Sequence, residues 1–408
     1  MNAVTVIATD PVTPLGAYLR LRGEGGSFLL ESVDRGRLGR YSFVGSGFRL
    51  VTVEEAEDAE EPVVGYLSYD HVARVEKTVT LPEAGPALPE SRFLVAETLL
   101  RFDHACGMAE LLRGDPVDLA ERLDGPLPKL PNGAGRTGPT RRSPSGLEYQ
   151  GSVVRAKELI RAGEVFQVVL SQRAERRTSA SALAIYRALR RVNPSPYLFL
   201  LELGDISLVG SSPETLVKAE GTRASLNPIA GTTPAGPGDG ERLLASEKDR
   251  AEHVMLVDLG RNDLSRVCRP GTVKVERFLE PERYSHVTHL VSEVAGELED
   301  GVRPFDLLEA CFPAGTVSGA PKVRAMQIIS ELERWRRGPY AGAVGYALPD
   351  GTLDTCIAIR TVVLHDGRAL LQAGAGIVAD SQPLAEHEEC LRKLAALETA
   401  ITLAEGSA

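Results

Sequence analysis

Two periodicities alternate along the chain. Apolar residues recur three and four apart, with charges between them, over 151–162, 183–192, 247–258, 320–334 and 383–405, and this spacing predicts amphipathic helices. Between them lie short apolar runs: Phe28-Leu29-Leu30, 63–67, 166–170, 197–203, 356–364 and 369–374. Their length and β-branched content predict strands. Strands often follow one another with no helix between, so an α+β fold with mixed or antiparallel sheets and flanking helices is expected rather than a doubly wound one. Over 125–146, ten of 22 residues are Gly or Pro and no apolar period survives. That segment reads as a linker. It divides the chain into an N-terminal part, 1–124, and a longer part, 147–405.

Composition changes this picture in three places. The net charge is −10, and basic residues cluster no further than Arg141-Arg142 or Arg336-Arg337, which argues against nucleic acid as a partner. No apolar run approaches the ~18 residues that span a bilayer, and the first residues lack the pattern of a secretory signal, so a cytoplasmic protein is expected. Five scattered cysteines without a C-x-x-C pair predict buried small apolar side chains rather than a disulfide framework. His286-x-x-His289 lacks a third ligand at zinc spacing.

Candidate chemistry begins on the last predicted helix, where Glu386, Glu389 and Lys393 stand at i, i+3 and i+7. At about 100° per residue they share one stripe about 60° wide. The same spacing suits a solvated charged face. A second helix carries a similar pair: Ser246 reads as an N-cap ahead of Glu247 and Asp249, and Asp249 then shares a face with Glu252. Two helices bearing paired carboxylates supply the hard oxygen ligands that Mg²⁺ takes, with other positions left to water and an anionic ligand. The run 374–379 matches the relaxed G-x-G-x-x-G/A pattern, but too little chain follows for another βα unit. It reads either as a tight strand-to-helix turn or as backbone N–H groups offered to a carboxylate. Loops 228–234 and 313–322 are rich in small residues, and neither holds a phosphate-binding G-x-x-x-x-G-K-[ST].

Taken together, PIAGT (228–232), EHVMLVDLGRNDLSRV (252–267), YSHVTHLVSEV (284–294), PAGTVSGAPKVRAMQII (313–329), GPYAGAVGY (338–346), DTCIAIRT (354–361), QAGAGIVADS (372–381) and E-x-x-E-x-x-x-K (386–393) resemble the chorismate-utilising enzyme family. The resemblance covers nearly all of 145–405, in fixed order. LLES (29–32) and GRYSFVG (39–45) resemble the regulatory segment of the same family. The fold so implied is a two-sheet α/β sandwich with the site between the sheets.

Carried over residue by residue, the resemblance implies Mg²⁺ held by Glu252 and Glu389, with Asp249 and Glu386 orienting its waters. Arg360, Tyr340, Lys393 and the backbone N–H groups of Ala375 and Gly376 would hold the enolpyruvyl carboxylate of chorismate, and Gly231 and Thr232 would line the ring pocket. Glu214 corresponds to the general acid that protonates the departing C4 hydroxyl. His289 corresponds to the group associated with the second step, proton abstraction and loss of pyruvate.

Family members differ in the nucleophile. Those that activate water carry a lysine where this chain has Gln167, an amide that can orient ammonia but cannot deprotonate water. The common aminodeoxychorismate-forming type carries a lysine where this chain has Ala230, and often Trp at Tyr340. The expected reaction is therefore Mg²⁺-dependent conversion of chorismate and ammonia to anthranilate and pyruvate, the first step of tryptophan biosynthesis. Aminodeoxychorismate formation is the enzymatic alternative, and an idle tryptophan-binding or scaffold subunit the alternative of another class. The chain lacks the Gly-flanked nucleophilic Cys of a glutaminase, so a separate glutamine amidotransferase subunit is implied as partner. L-Tryptophan as inhibitor would touch Glu31, Ser32, Pro196 and Tyr197, although the acid-rich stretch between Phe48 and Val63 is shorter than the family usually has.

Overall fold

The computed structural model describes residues 5–8, 12–23, 25–32, 40–128, 138–283 and 287–406. Its strands form two sheets, one of 12 and one of 10 strands, and every pairing is antiparallel. The sheets face each other. Phe28, Phe199 and Leu208 of the larger sheet meet Tyr66, Leu94 and Val344 of the smaller in one fully buried cluster. Period-two alternation supplies these inward side chains.

Helices cover the outer faces. The helix Ala182–Val192, capped by the Ser181 hydroxyl, buries Leu183, Ile185, Tyr186 and Leu189, and the 22-residue helix Pro383–Ala404 packs Leu394, Leu397 and Ile401 into the same cluster. The helix Glu247–Leu264 starts at Ser246, whose hydroxyl accepts the Asp249 N–H at 3.2 Å. It lies on the strands Ile229–Pro234 and Val287–Glu297.

Two expectations change. The Gly/Pro-rich segment does not separate two bodies: the early strands Gly26–Glu31 and Tyr41–Gly47 continue the larger sheet through Tyr197–Leu203, and Val63–Leu67 pairs with Ala343–Ala347 in the smaller. A sheet edge left bare by a 147–405 domain is completed by the chain before 125, because unpaired edges are costly. The run 356–364, read as one strand, is two: Leu353–Ile357 lies in the smaller sheet and Thr361–His365 in the larger. Arg360, with φ of +51°, makes the crossing between them. Of the five cysteines, four are buried and Cys106 is exposed, all as free thiols. Among the described residues no helix is long and apolar enough to cross a membrane.

The N-terminal part is also tied down by a buried histidine. His71 places Nδ1 at 2.8 Å from Glu90 and Nε2 at 2.8 Å from Glu309, on the helix Pro304–Cys311. Burial alone would lower its pKa, but the hydrogen bonds to Glu309 and Glu90 outweigh that and raise it. Stability from such a group is complete below the unfolded value near 6.5 and is lost as pH rises through the raised one. His71→Leu is therefore expected to cost about 2 kcal/mol in urea unfolding at mildly acidic pH, with the difference shrinking at alkaline pH; a pH-independent cost would rule out a charged clamp.

Candidate active site

A cavity of about 900 Å³ opens where the strands Gln167–Arg177 and Arg368–Ile377 meet the helices Glu247–Leu264 and Pro383–Ala404. Its floor is the face of Arg368–Ile377 that carries Gln372, Gly374 and Gly376. The glycines are needed for space. A Cβ on Gly376 would stand 2.5 Å from Gln167 Nε2, and one on Gly374 would stand 2.7 Å from the Tyr340 hydroxyl. Both polar side chains thus lie directly on bare backbone.

The two carboxylate helices do converge here. Glu252 and Asp249 enter from one, Glu389 and Lys393 from the other. Gln167 Nε2 donates to Glu252 Oε1 at 3.0 Å, while its own Oε1 is buried with no partner. Lys393 Nζ lies 2.7 Å from Glu389 Oε1 and donates to the Gly374 carbonyl at 2.7 Å. Lys248, Arg360 and Arg392 add positive charge to the lining. Burial lowers the pKa of the Arg360 guanidinium, the direction expected of a cation desolvated ahead of an anionic ligand.

At the other end sits Glu214, buried in Ser212-Pro213-Glu214, between the strands Ile206–Ser212 and Thr215–Glu220. Burial pushes its carboxyl up to about 8, against a smaller opposing effect of Thr316. A carboxylic acid in this state keeps its proton at neutral pH and can donate it. His289 pairs with Thr232 across the two strands, at an irregularity centred on Gly231, whose φ is +71°. That turn aims the Gly231 carbonyl at His289 Nδ1, 3.1 Å away. Nδ1 is then the protonated nitrogen and Nε2 carries the lone pair, and burial lowers the pKa so that the ring stays neutral.

Of the residues expected from sequence, Gln167, Glu214, Gly231, Asp249, Glu252, His289, Tyr340, Arg360, Gly376, Glu389 and Lys393 all line this cavity. Three differ. Ala375 turns its side chain into the core on the opposite face, so only its backbone can serve the site. Glu386 stands outside the lining, half-buried, its pKa raised by burial and by Glu389. Thr232 lies in Ile229–Pro234, and its side chain is outside the described residues, as is His286 of the histidine pair. Sequence reasoning missed Lys248, Thr316, Gln372 and Arg392. Gln372 was legible through the two-residue step to Gly374 and Gly376; Thr316 was not, because only folding brings its loop beside Glu214.

Behind the cavity wall, Arg337 is buried between the rings of Tyr69 and Tyr340, at 4.5 and 5.6 Å from their centroids. It donates to both oxygens of Glu333 at 2.7 and 2.8 Å and to the carbonyls of Val169 and Val317. Tyr340 is held in place from behind by this clamp.

Two facing sheets with a cavity of this composition define a chorismate-binding enzyme. The chain belongs to that family, whose sequence profile, described as chorismate binding enzyme, matches residues 43–399. It is similar to anthranilate synthase component 1 of Thermus thermophilus, at 44% identity over 97% of this chain and 96% of the relative, and to that of Streptomyces coelicolor, at 43% over 98% and 88%. Among solved structures it resembles anthranilate synthase component I from Streptococcus pneumoniae, with a TM-score of 0.80 and 33% identity over 98% of this chain and 100% of that one. The menaquinone-specific isochorismate synthase of Escherichia coli, 24% identical, shares the fold at a TM-score of 0.77 over 98% and 95%.

The bare glycine floor yields a direct test. Gly376→Ala is expected to displace Gln167 and lower the turnover of chorismate about tenfold or more, with an unfolding midpoint close to the parent's. Unchanged turnover would show that Gln167 need not lie on the strand.

Proposed function

We propose that this chain converts chorismate and ammonia to anthranilate and pyruvate, with ammonia delivered by a glutamine amidotransferase partner. The observation that carries this reading is Glu214 and His289 in one cavity with Gln167, which stands where water-activating members of the family carry a lysine; burial raises the Glu214 pKa and lowers that of His289. The relatives named anthranilate synthase component 1 support it, and "component 1" in those names supports a second component.

Mg²⁺ fits the donor set. Glu252 and Glu389 line the same cavity from two helices, and among the described residues no three His, Cys, Asp or Glu side chains form a closed cage. A cation held by these two carboxylates would complete its shell with water and a ligand oxygen, as Mg²⁺ ordinarily does. When bound it would supply positive charge for the ring carboxylate of the substrate. The enolpyruvyl carboxylate would meet Arg360, Lys393 and Tyr340. Beyond Leu371 the strand Arg368–Ile377 is paired only with Gln167–Arg177, which leaves backbone groups of its other edge for the same anion.

In the first step the ammonia nitrogen, oriented by Gln167, attacks C2 as the C4–O bond breaks. Glu214 gives its proton to the leaving hydroxyl, which departs as water. In the second, His289 Nε2 takes the C2 proton, the bond from C3 to the enolpyruvyl oxygen breaks, and protonation at the methylene carbon releases pyruvate. The gain is an aromatic ring.

L-Tryptophan is the proposed inhibitor. Glu31 pairs with Leu198 across the strands Gly26–Glu31 and Tyr197–Leu203, which brings Glu31 and Ser32 beside Pro196 and Tyr197. Ser32 Oγ is buried with no hydrogen-bond partner among the described residues, as a donor awaiting a ligand would be. Glu31 itself already accepts the Tyr186 hydroxyl and lies 3.3 Å from Arg190, and Tyr197 donates to Asp354 at 3.1 Å, so these two would act as part of a built wall.

Anthranilate fluorescence with chorismate, Mg²⁺ and high ammonium tests the reaction. The signal is expected to vanish with EDTA and in Glu389→Ala; chorismate consumed without fluorescence would assign an amino product arrested before elimination. For Glu214 the sign is fixed by its raised pKa: the acid is active below about 8, so kcat/KM should fall as pH rises through that value. Glu214→Gln is expected to lower kcat about a hundredfold or more, and a variant retaining the parent's rate and basic limb would remove Glu214 from the role.

A further inference from the structure

The sheet face that floors the active cavity continues past it. Along Gln167–Arg177, Gln167 and Val169 line the active cavity, and the next residues on that face, Ser171 and Arg173, line a second cavity of about 590 Å³. Gln372 touches both, and donates to Ser171 Oγ at 2.8 Å. The outer wall is Trp335, 41% exposed, with the Arg173 guanidinium 5.1 Å from its ring centroid.

Three carboxylates and three arginines line this cavity, and they differ in what they touch. Its three carboxylates are all engaged by the fold: Glu148 caps its own helix through the Ser145 N–H and hydroxyl, Glu331 accepts Arg324 at 3.1 Å, and Glu333 binds Arg337 and Ser171. Arg155 is paired with Glu158 at 2.7 Å. Arg173 and Arg334 remain, neither with an ion pair or a hydrogen-bond acceptor among the described residues, and Arg173 Nη1 is sealed from solvent with no partner. Glu175 acts on Arg173 and Glu148 on Arg334 through space without contact, and burial lowers the Arg173 pKa, so a direct partner for its sealed nitrogen would be favourable. The donors of a guanidinium lie in one plane, in a fork that suits a carboxylate.

We propose that this cavity is a second ligand site, separate from the chorismate cavity, that takes a small aromatic carboxylate. Its carboxylate meets Arg173 and Arg334. Its ring lies against Trp335 and the apolar lining of Tyr149, Leu170 and Leu332. The volume is ample for one such molecule.

Trp335 is the single tryptophan of the chain, so its emission reports on this cavity directly. Titration of the intact protein with sodium benzoate is expected to give a saturable change, absent with sodium chloride at equal ionic strength and with benzamide, which keeps the ring and lacks the charge. Arg173→Met should weaken the benzoate response about tenfold or more, and Arg334→Met, at an exposed position, should weaken it without risk to folding. Arg360→Met, in the chorismate cavity, should leave it intact. No saturable change, an equal response to benzamide, or a response lost in Arg360→Met but kept in both Arg173→Met and Arg334→Met would each overturn the proposal.

Discussion

The buried guanidinium of Arg337 is the interaction on which the site's geometry depends. Taking such an ion out of water costs several kcal/mol, and here the loss is offset by both oxygens of Glu333 and two backbone carbonyls. Those partners come from the strand Gln167–Arg177, through Val169, and from the short helix Gly315–Ser318 beside Glu214, through Val317. The ring of Tyr340 covers one side and that of Tyr69 the other. Asp70, next to Tyr69, accepts the backbone N–H groups of Arg337 and Gly338 at 3.2 Å each. One desolvated charge therefore sets the relation between the early chain, the strand Gln167–Arg177 and the cavity-lining Tyr340. Little freedom remains for any of them to shift alone, because a half-satisfied buried network is costlier than none.

In front of that clamp the cavity is divided electrostatically. At the Glu214 end the carboxyl is buried, and burial raises its proton affinity against a smaller effect of Thr316. The other end holds Glu252, Asp249 and Glu389 among Lys248, Lys393 and Arg392. In the proposed reaction, carboxylates of the same chemistry would do different work set by their surroundings, as acid at one end and as anion or metal ligand at the other. The second cavity follows the same logic in reverse. There the carboxylates are engaged by the fold, and Arg173 and Arg334 have no contacting acceptor among the described residues.

Much of the fold was legible in periodicity. The spans 197–203 and 183–192 matched the strand Tyr197–Leu203 and the helix Ala182–Val192, because each buries one face and its side chains follow that burial. Misreadings fell where local pattern is blind to partners. The run 356–364 is apolar throughout, and nothing in that pattern says that its halves pair in different sheets. The Gly/Pro-rich stretch 125–146 includes the short strand Arg141–Ser143, and a break in apolar pattern does not imply a domain boundary when strands on both sides share one hydrogen-bond ladder.

The sequence by itself determined the chemical vocabulary: the two carboxylate helices with their stripes, the glycines at 374 and 376, and the ordered motifs that carry the family resemblance. These are local properties, set by residue type and spacing. Only the tertiary structure decided that the two helices face one cavity and that Gln167 rests on a bare strand. It also decided that Glu214 is buried, which raises its pKa, and that Arg173 and Arg334 have no contacting carboxylate among the described residues. Proton affinity and charge balance depend on what surrounds a group in space, and those surroundings come from segments far apart in the chain.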